Sequence, residues 1–154
     1  MSNKQIKIVY NGGKLKLTKE EVDNIYSMKK QIVDKTLKWK KDIGNRLKLK
    51  AKVVAEDGTV LELRGNINEK FSFTLLYRAR NVTVRQFDFQ KEHRNRDKTP
   101  IRGPHKHFWD GLGSHDAYNV NDVSIKDPNK GLFDFLKECN IEFNGDYQQI
   151  MWVK

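Results

Sequence analysis

The sequence has one cysteine, Cys139, and no long uninterrupted run of apolar residues. A single thiol excludes a disulfide scaffold and fits a reducing compartment. A bilayer-spanning helix needs about 20 mainly apolar residues, and the first residues also lack the apolar stretch of a signal peptide. We therefore expect a soluble cytoplasmic protein whose 154 residues form a single domain.

Acidic residues are too few to balance the basic ones, with 20 Asp and Glu against 30 Lys and Arg and a net charge of +10. Residues 29–52 carry ten basic residues and two acids. This asymmetry favours an anionic partner, either nucleic acid or an acidic protein surface, over an acidic mimic of DNA. The alternative is a solvated lysine-rich surface with no partner. The residues predicted to bind the partner are Lys35, Lys38, Lys40, Lys41, Lys48, Lys50 and Lys52.

The spacing of apolar residues predicts an α+β fold, in which a long N-terminal helix packs on one face of an antiparallel β-meander of four to six strands. Thr18 and Glu21 form a capping-box pattern, and apolar residues then recur every three or four positions, so we predict a basic helix over residues 18–42. Strict alternation of apolar residues and lysine at residues 47–53, followed by short turns, predicts a sheet over residues 47–89.

Shorter elements are predicted on either side of this unit. Residues 6–10 have the composition of a short strand. Residues 90–118 are polar and rich in turn residues, which predicts a long irregular loop of the kind that usually carries function. Residues 127–153 predict a short acidic helix, capped by Asp127 or Asn129, and a final strand at a sheet edge.

Histidine is absent except in the predicted loop, which holds all four: His93, His105, His107 and His115. If residues 105–107 are extended, the two imidazoles of the pair lie on one side with their roots about 7 Å apart, and Lys106 points the other way. Two imidazoles placed in this way can bind one metal ion or act as an acid and a base.

One interpretation of this segment is a structural zinc site. The four histidines supply the nitrogen ligands, and a loop with few apolar residues gains most from a bound ion. Other side chains that could complete the coordination are Asp97, Asp110, Asp116 and Cys139.

Two further interpretations stay open. In the first, His93, His105 and His107 act as acid and base in metal-independent RNA cleavage, and Arg85 stabilises the charged intermediate, a role that Arg78, Arg80 and Arg102 could also fill. In the second, the histidines only hydrogen-bond the loop backbone, Phe108 and Trp109 anchor the loop on the sheet, and the segment holds no ion and performs no catalysis.

Four segments occur in order within residues 71–139: Tyr77-Arg78-Ala79-Arg80, Arg85-Gln86-Phe87-Asp88-Phe89, His93 and Pro104-His105-Lys106-His107. In these segments the chain resembles the TumE-like toxins of bacterial toxin–antitoxin pairs, which have an arginine–aromatic–aspartate strand, a histidine loop and a Pro-His-His-Lys-His-like segment. This sequence differs at Gln86, which separates Arg85 from Phe87, and in having one histidine before Lys106. The resemblance implies a ribonuclease whose partners are RNA and a cognate antitoxin.

The chain also resembles in kind the small lysine- and asparagine-rich proteins that phages and mobile elements carry against host defence, including anti-CRISPR proteins. That resemblance implies an inhibitor of a nucleic-acid-handling effector such as Cas9, acting in the host cytoplasm through its basic face, with zinc holding the histidine loop. We take this as the leading hypothesis and the ribonuclease as the alternative, because the lysine row at Lys48, Lys50 and Lys52 is visible in the sequence whereas convergence of the histidines is not.

Overall fold

The computed structural model describes residues 9–11 and 14–151, and within them it contains two α-helices and a nine-stranded sheet in a mixed α+β arrangement. The predicted strand at residues 6–10 and the end of the predicted final strand lie partly outside these residues. No helix in the described part is long and apolar enough to cross a membrane. The elements are β1 (Val9–Asn11), β2 (Lys14–Lys16), α1 (Lys19–Ser27), β3 (Lys30–Ile32), β4 (Thr36–Lys38), β5 (Lys40–Lys41), β6 (Leu47–Ala55), β7 (Val60–Ile67), β8 (Phe71–Tyr77), a 3-10 turn (Arg78–Arg80), β9 (Val82–Asp88), β10 (His93–Arg94), β11 (Pro100–Ile101), β12 (His105–Phe108), β13 (Ala117–Asn119), α2 (Pro128–Glu138), β14 (Ile141–Glu142) and β15 (Asp146–Gln148).

The predicted antiparallel meander is confirmed as β6 to β9, the centre of the nine-stranded sheet. Its strand order is β13-β12-β9-β8-β7-β6-β3-β14, with β5 also paired to β6. Burial alternates along β6, where Leu49, Ala51 and Val53 are buried between exposed lysines. Period-two alternation of this kind covers one side of a sheet and leaves the other for solvent, so these strands are recognisable from sequence.

The long helix predicted over residues 18–42 is wrong, because α1 ends at Ser27 and β3, β4 and β5 follow it. The capping box at its start is present as predicted. At its end, the Ser27 hydroxyl donates to the carbonyl of Asp23, and the buried Lys30 ammonium donates to the carbonyls of Tyr26 and Met28. These donors satisfy carbonyls at the end of the helix, which no longer have amide partners within it. The β-branched residues Ile32, Val33 and Thr36 then favour the strands that follow.

The hydrophobic core lies between one side of the sheet and the two helices. Phe71, Phe73 and Phe87 are fully buried there, with ring centres 5.5 to 6.2 Å apart. The C-terminal helix is confirmed as α2, capped by Asp127, and it approaches the phenylalanines closely at Gly131, where an added Cβ would lie 3.1 Å from the Phe71 ring. We call the opposite side of the sheet, which points away from this core, the outer face.

The segment predicted as an irregular loop, residues 90–118, is more ordered than expected. It contains the hairpin of β10 and β11, and β12 enters the main sheet between β9 and β13. The buried residues Ile101, Trp109 and Ala117 fix it to the fold, and the Trp109 indole donates to the Leu17 carbonyl at 2.9 Å. The final strand β15 pairs with β4 in a separate two-stranded sheet, while β14 occupies the sheet edge.

Candidate functional site: a histidine cluster and a basic face

The strand β12 carries the central His-Lys-His segment in extended conformation, as the sequence predicts. His105 and His107 lie on one side, with ring centres 5.1 Å apart, and both are buried. Lys106 lies between them on the opposite side of the sheet, where it is also buried. Alternate residues of one strand therefore carry two separate polar sites.

The other two histidines come from neighbouring segments and complete a cluster. The His93 ring on β10 lies 4.6 Å from that of His107 and 5.8 Å from that of His105, measured between ring centres. His115, in the connection from β12 to β13, lies 5.0 Å from His93 and is exposed. The structure thus brings together all four predicted histidines, which we call the histidine cluster.

Hydrogen bonds to the backbone fix the orientation of the two buried rings. His105 Nδ1 lies 2.9 Å from the Gly103 carbonyl oxygen, and His107 Nδ1 lies 2.9 Å from that of Ser114. A carbonyl only accepts, so each Nδ1 carries a proton, and Nε2 is the ring nitrogen that can offer a lone pair. Burial, together with the neighbouring rings of His105 and His93, lowers the pKa of His107 and favours the neutral form.

Two nitrogens of the cluster have no hydrogen-bond partner. His93 Nε2 and His105 Nε2 are both buried and unpaired within the described residues. As the rings stand, no three His, Cys, Asp or Glu side chains of residues 9–11 and 14–151 form a metal-coordinating group. The cluster therefore combines converging imidazoles with buried ring nitrogens that lack a hydrogen-bond partner in this part of the chain.

The additional ligands predicted from sequence are engaged elsewhere. Arg96 forms ion pairs with both Asp110 and Asp116, and the Asp97 carboxylate accepts from the Thr99 amide. Cys139 lies in the hydrophobic core, where burial raises the pKa of its thiol to about 12. Of the candidate metal ligands, the histidines are therefore the ones that the fold brings together.

The catalytic set predicted for RNA cleavage is only partly assembled. Arg85 lies on the core side of the sheet, where its guanidinium carbon is 3.5 Å from the centre of the Phe108 ring and 3.8 Å from that of Tyr26. Two of the three alternative arginines are also bound elsewhere, since Arg78 pairs with Glu62 and Arg102 with Glu92. Three histidines of the set come together without the arginine.

A buried charge network on the core side is absent from the sequence-based prediction. The Lys106 ammonium pairs with Glu138 and donates to both carboxylate oxygens of Asp122, at 2.8 and 2.7 Å. Glu138 also accepts from the Tyr26 hydroxyl at 3.0 Å and lies 3.5 Å from Arg85 Nε. The alternation of Lys106 with two histidines indicates that Lys106 lies on the other side of the strand. It does not reveal the acids that pair with Lys106, because Asp122 and Glu138 lie in other segments of the chain.

The outer face carries both the histidine cluster and the predicted lysine row of Lys48, Lys50 and Lys52. Directly paired residues of neighbouring strands point to the same side, and the register joins Lys50 through Arg64, Thr74 and Gln86 to His107. Four strand spacings of about 4.8 Å separate β6 from β12, or about 19 Å. A continuous polar surface therefore connects the lysines to the histidine cluster.

Four of the seven predicted partner-binding lysines share this surface. Lys48, Lys50 and Lys52 alternate on β6, and Lys40 on β5 is directly paired with Lys48. Lys41 pairs with Leu47 and so takes the other side of β5, while Lys38 lies on β4 and Lys35 between β3 and β4. All seven are exposed. We call Lys40, Lys48, Lys50 and Lys52 the basic face.

A single buried acid organises part of the basic face. Glu62 is 8% exposed and pairs with Lys50, Arg64 and Arg78. Burial raises its pKa, but the hydrogen bonds from Arg64 and Lys50 outweigh burial and the net pKa is below the ordinary value. An open hollow of about 460 Å³ lies beside it, lined in part by Lys40, Lys50, Lys52 and Arg78.

Residues 17–141 match a family of unknown function, DUF6978. The chain belongs to this family. The matched residues include both helices, the meander, the basic face and all four histidines. No curated protein and no solved structure matches the chain.

Proposed function

We propose that the chain inhibits a nucleic-acid-handling effector, as anti-CRISPR proteins do, by docking its outer face on the phosphate backbone of the nucleic acid that the effector handles. The observation that carries this proposal is the basic face, in which four lysines from two paired strands point to one side. Exposed lysines that share one surface are a sequence-independent binding site for a polyanion.

Two of the four lysines of the basic face are available to bind an anionic partner. Lys48 pairs with Asp42, and Lys50 shares Glu62 with two arginines. Lys40 and Lys52 form no ion pair within residues 9–11 and 14–151. The three lysines of β6 stand about 7 Å apart along the strand, which spreads the charge and favours an extended polyanion over a single phosphate.

The direct test compares two variants that lose the same charge. In one, Lys48, Lys50 and Lys52 are changed to Gln; in the control, the exposed Lys126, Lys130 and Lys137 are changed to Gln. Binding of fluorescein-labelled single-stranded RNA and DNA is followed by fluorescence anisotropy from 50 to 300 mM salt. For single strands, loss of three phosphate contacts should reduce the slope of log K against log[salt] by about 2. The control variant should keep the wild-type slope.

The same variants connect binding to inhibition. In a cleavage assay with a CRISPR nuclease such as Cas9, the wild type and the control variant should inhibit and the basic-face variant should not. Equal binding by both triple variants would refute the proposal. Binding to the effector protein without its nucleic acid would instead identify an acidic protein surface as the partner and would also refute it.

A TumE-like toxin ribonuclease is the second candidate, favoured by the convergence of three histidines at the end of the outer face. Two observations weigh against it. His105 is 0% exposed, so substrate cannot reach it in this arrangement, and Arg85 lies on the other side of the sheet. Cleavage of the labelled RNA in the presence of EDTA, abolished by His93→Gln, would support this candidate.

A further inference from the structure

The histidine cluster contains buried ring nitrogens that have no hydrogen-bond partner among the described residues. His105 and His107 use their Nδ1 protons on the carbonyls of Gly103 and Ser114, which leaves Nε2 lone pairs on both rings. The Nε2 atoms of His93 and His105 are buried and have no partner in the described part of the chain. A buried acceptor without a donor is destabilising, so the cluster needs a proton, a water molecule or a cation.

The distances within the cluster suit a cation. Tetrahedral coordination with metal–nitrogen bonds of about 2.1 Å places neighbouring imidazole centres about 5 Å apart. The ring centres of His93, His105 and His107 are 4.6, 5.1 and 5.8 Å apart, and His115 is 5.0 Å from His93. Imidazoles are suitable ligands for zinc, copper, iron and nickel.

We propose that His93, His105 and His107 bind one divalent ion, zinc in the first place, through their Nε2 atoms, with His115 as the fourth ligand. A metal-bound histidine commonly donates its other ring N–H to a backbone carbonyl, which is the arrangement at His105 and His107. The rings do not yet form a coordinating group, so binding requires those of His93 and His115, on the less buried segments, to turn inward. Four protein ligands make the ion structural rather than catalytic.

The ion would tie three separate segments together. His93 belongs to the hairpin of β10 and β11, His105 and His107 to the main sheet, and His115 to the connection before β13. This proposal is independent of the basic face, since no lysine of that face contributes a ligand. It predicts that the ion stabilises residues 93–115 most strongly.

The first experiment uses zinc alone as the probe. Protein purified with a chelator is titrated with Zn²⁺ by calorimetry, and with Co²⁺ by visible absorption as a test of tetrahedral geometry. We expect one ion per chain. His93→Gln should weaken binding by more than about 100-fold, since changes to outer-shell groups alone cost 10- to 100-fold. His115→Gln, at the exposed fourth position, should have the smaller effect.

The second experiment separates metal binding from folding. In EDTA, the wild type and His93→Gln should have similar melting temperatures, and Zn²⁺ should raise only that of the wild type. Trypsin should cleave at the exposed Arg94, Lys98 and Arg102 faster in EDTA than in Zn²⁺. No binding, or binding that persists unchanged in His93→Gln, would overturn the proposal. A failure here would leave the charge-dependent binding of the basic face untouched.

Discussion

The buried charge network on the core side makes a sharp prediction for the variant Glu138→Gln. Glu138 is the acid shared by two buried cations, with side-chain exposures of 15% for Glu138, 2% for Lys106 and 6% for Arg85. Gln has nearly the same size and can still accept from the Tyr26 hydroxyl. The substitution therefore removes the negative charge with little change in packing.

The expected loss of unfolding free energy depends on which interactions Lys106 and Arg85 each retain in this variant. Removing one partner of a buried ion pair costs about 3 to 5 kcal/mol, because the other charge stays buried and unpaired. Lys106 keeps its two hydrogen bonds to Asp122, whereas Arg85 keeps, among the described residues, its contacts with the rings of Tyr26 and Phe108. We therefore expect the lower end of the range, a loss of about 3 kcal/mol from a total unfolding free energy of about 5 to 15 kcal/mol.

Urea denaturation followed by circular dichroism provides the measurement. The matched control is Glu142→Gln, at an exposed position without an ion pair in the described part of the chain, and it should change stability by less than about 0.5 kcal/mol. Combining Glu138→Gln with Lys106→Met should restore part of the loss, with a coupling energy of about 1 kcal/mol or more. A loss below about 1 kcal/mol for Glu138→Gln, with an unchanged m-value, would refute this account of the network.

Two further predictions concern packing and pH. Gly65→Ala should lower stability by about 1 to 3 kcal/mol, because the new Cβ would lie 2.5 Å from the buried Trp39 ring, while Gly113→Ala, in open space, should leave the melting temperature nearly unchanged. Hydrogen bonds from Arg96 hold the pKa of Asp116 below its ordinary value, so their stabilising contribution should be complete above about pH 4 and disappear as the pH falls through the lower, folded-state pKa. An NMR titration that gave Asp116 an ordinary pKa would contradict this.

The sheet could be predicted because its strands obey a rule that involves only neighbouring residues. On β6 the residues that alternate in burial also alternate between apolar residues and lysine, so the sequence alone assigns Lys48, Lys50 and Lys52 to one side. The same rule assigns the two imidazoles of β12 to one side and Lys106 to the other. Both assignments require only that the segment is extended.

Apolar spacing predicts an N-terminal helix that is longer than the observed α1, because such spacing does not determine secondary structure in a short segment. Ile32 and Leu37 fit a helical stripe, yet they are buried from the strands β3 and β4. What ends α1 is tertiary, since the Lys30 ammonium that satisfies its last carbonyls also donates to the Cys139 carbonyl at 2.6 Å. A contact between residues 109 positions apart leaves no trace in local periodicity.

The residue types of the candidate site could be predicted from the sequence, but the side of the sheet that each residue occupies could not. Four histidines in one segment point to one cluster, but the side taken by Arg85 depends on its register with Phe108 across β9 and β12. That register places Arg85 with the aromatic rings and Glu138 instead of the imidazoles. The sequence identifies Arg85 as a candidate residue but does not determine which side of the sheet it occupies.

The two polar sites of β12 together explain why this short strand has one register. A shift by one residue would exchange the two sides, placing the Lys106 ammonium beside the rings of His93 and His115 and placing His105 and His107 on the side of the core phenylalanines. In the observed register each side is complementary, because Asp122 and Glu138 meet the ammonium and the carbonyls of Gly103 and Ser114 meet the imidazoles. A cation bound by the histidine cluster would add to this preference, since the shifted strand would present it with a positive charge. Ion binding and the register of β12 are therefore linked through the same three residues, His105, Lys106 and His107.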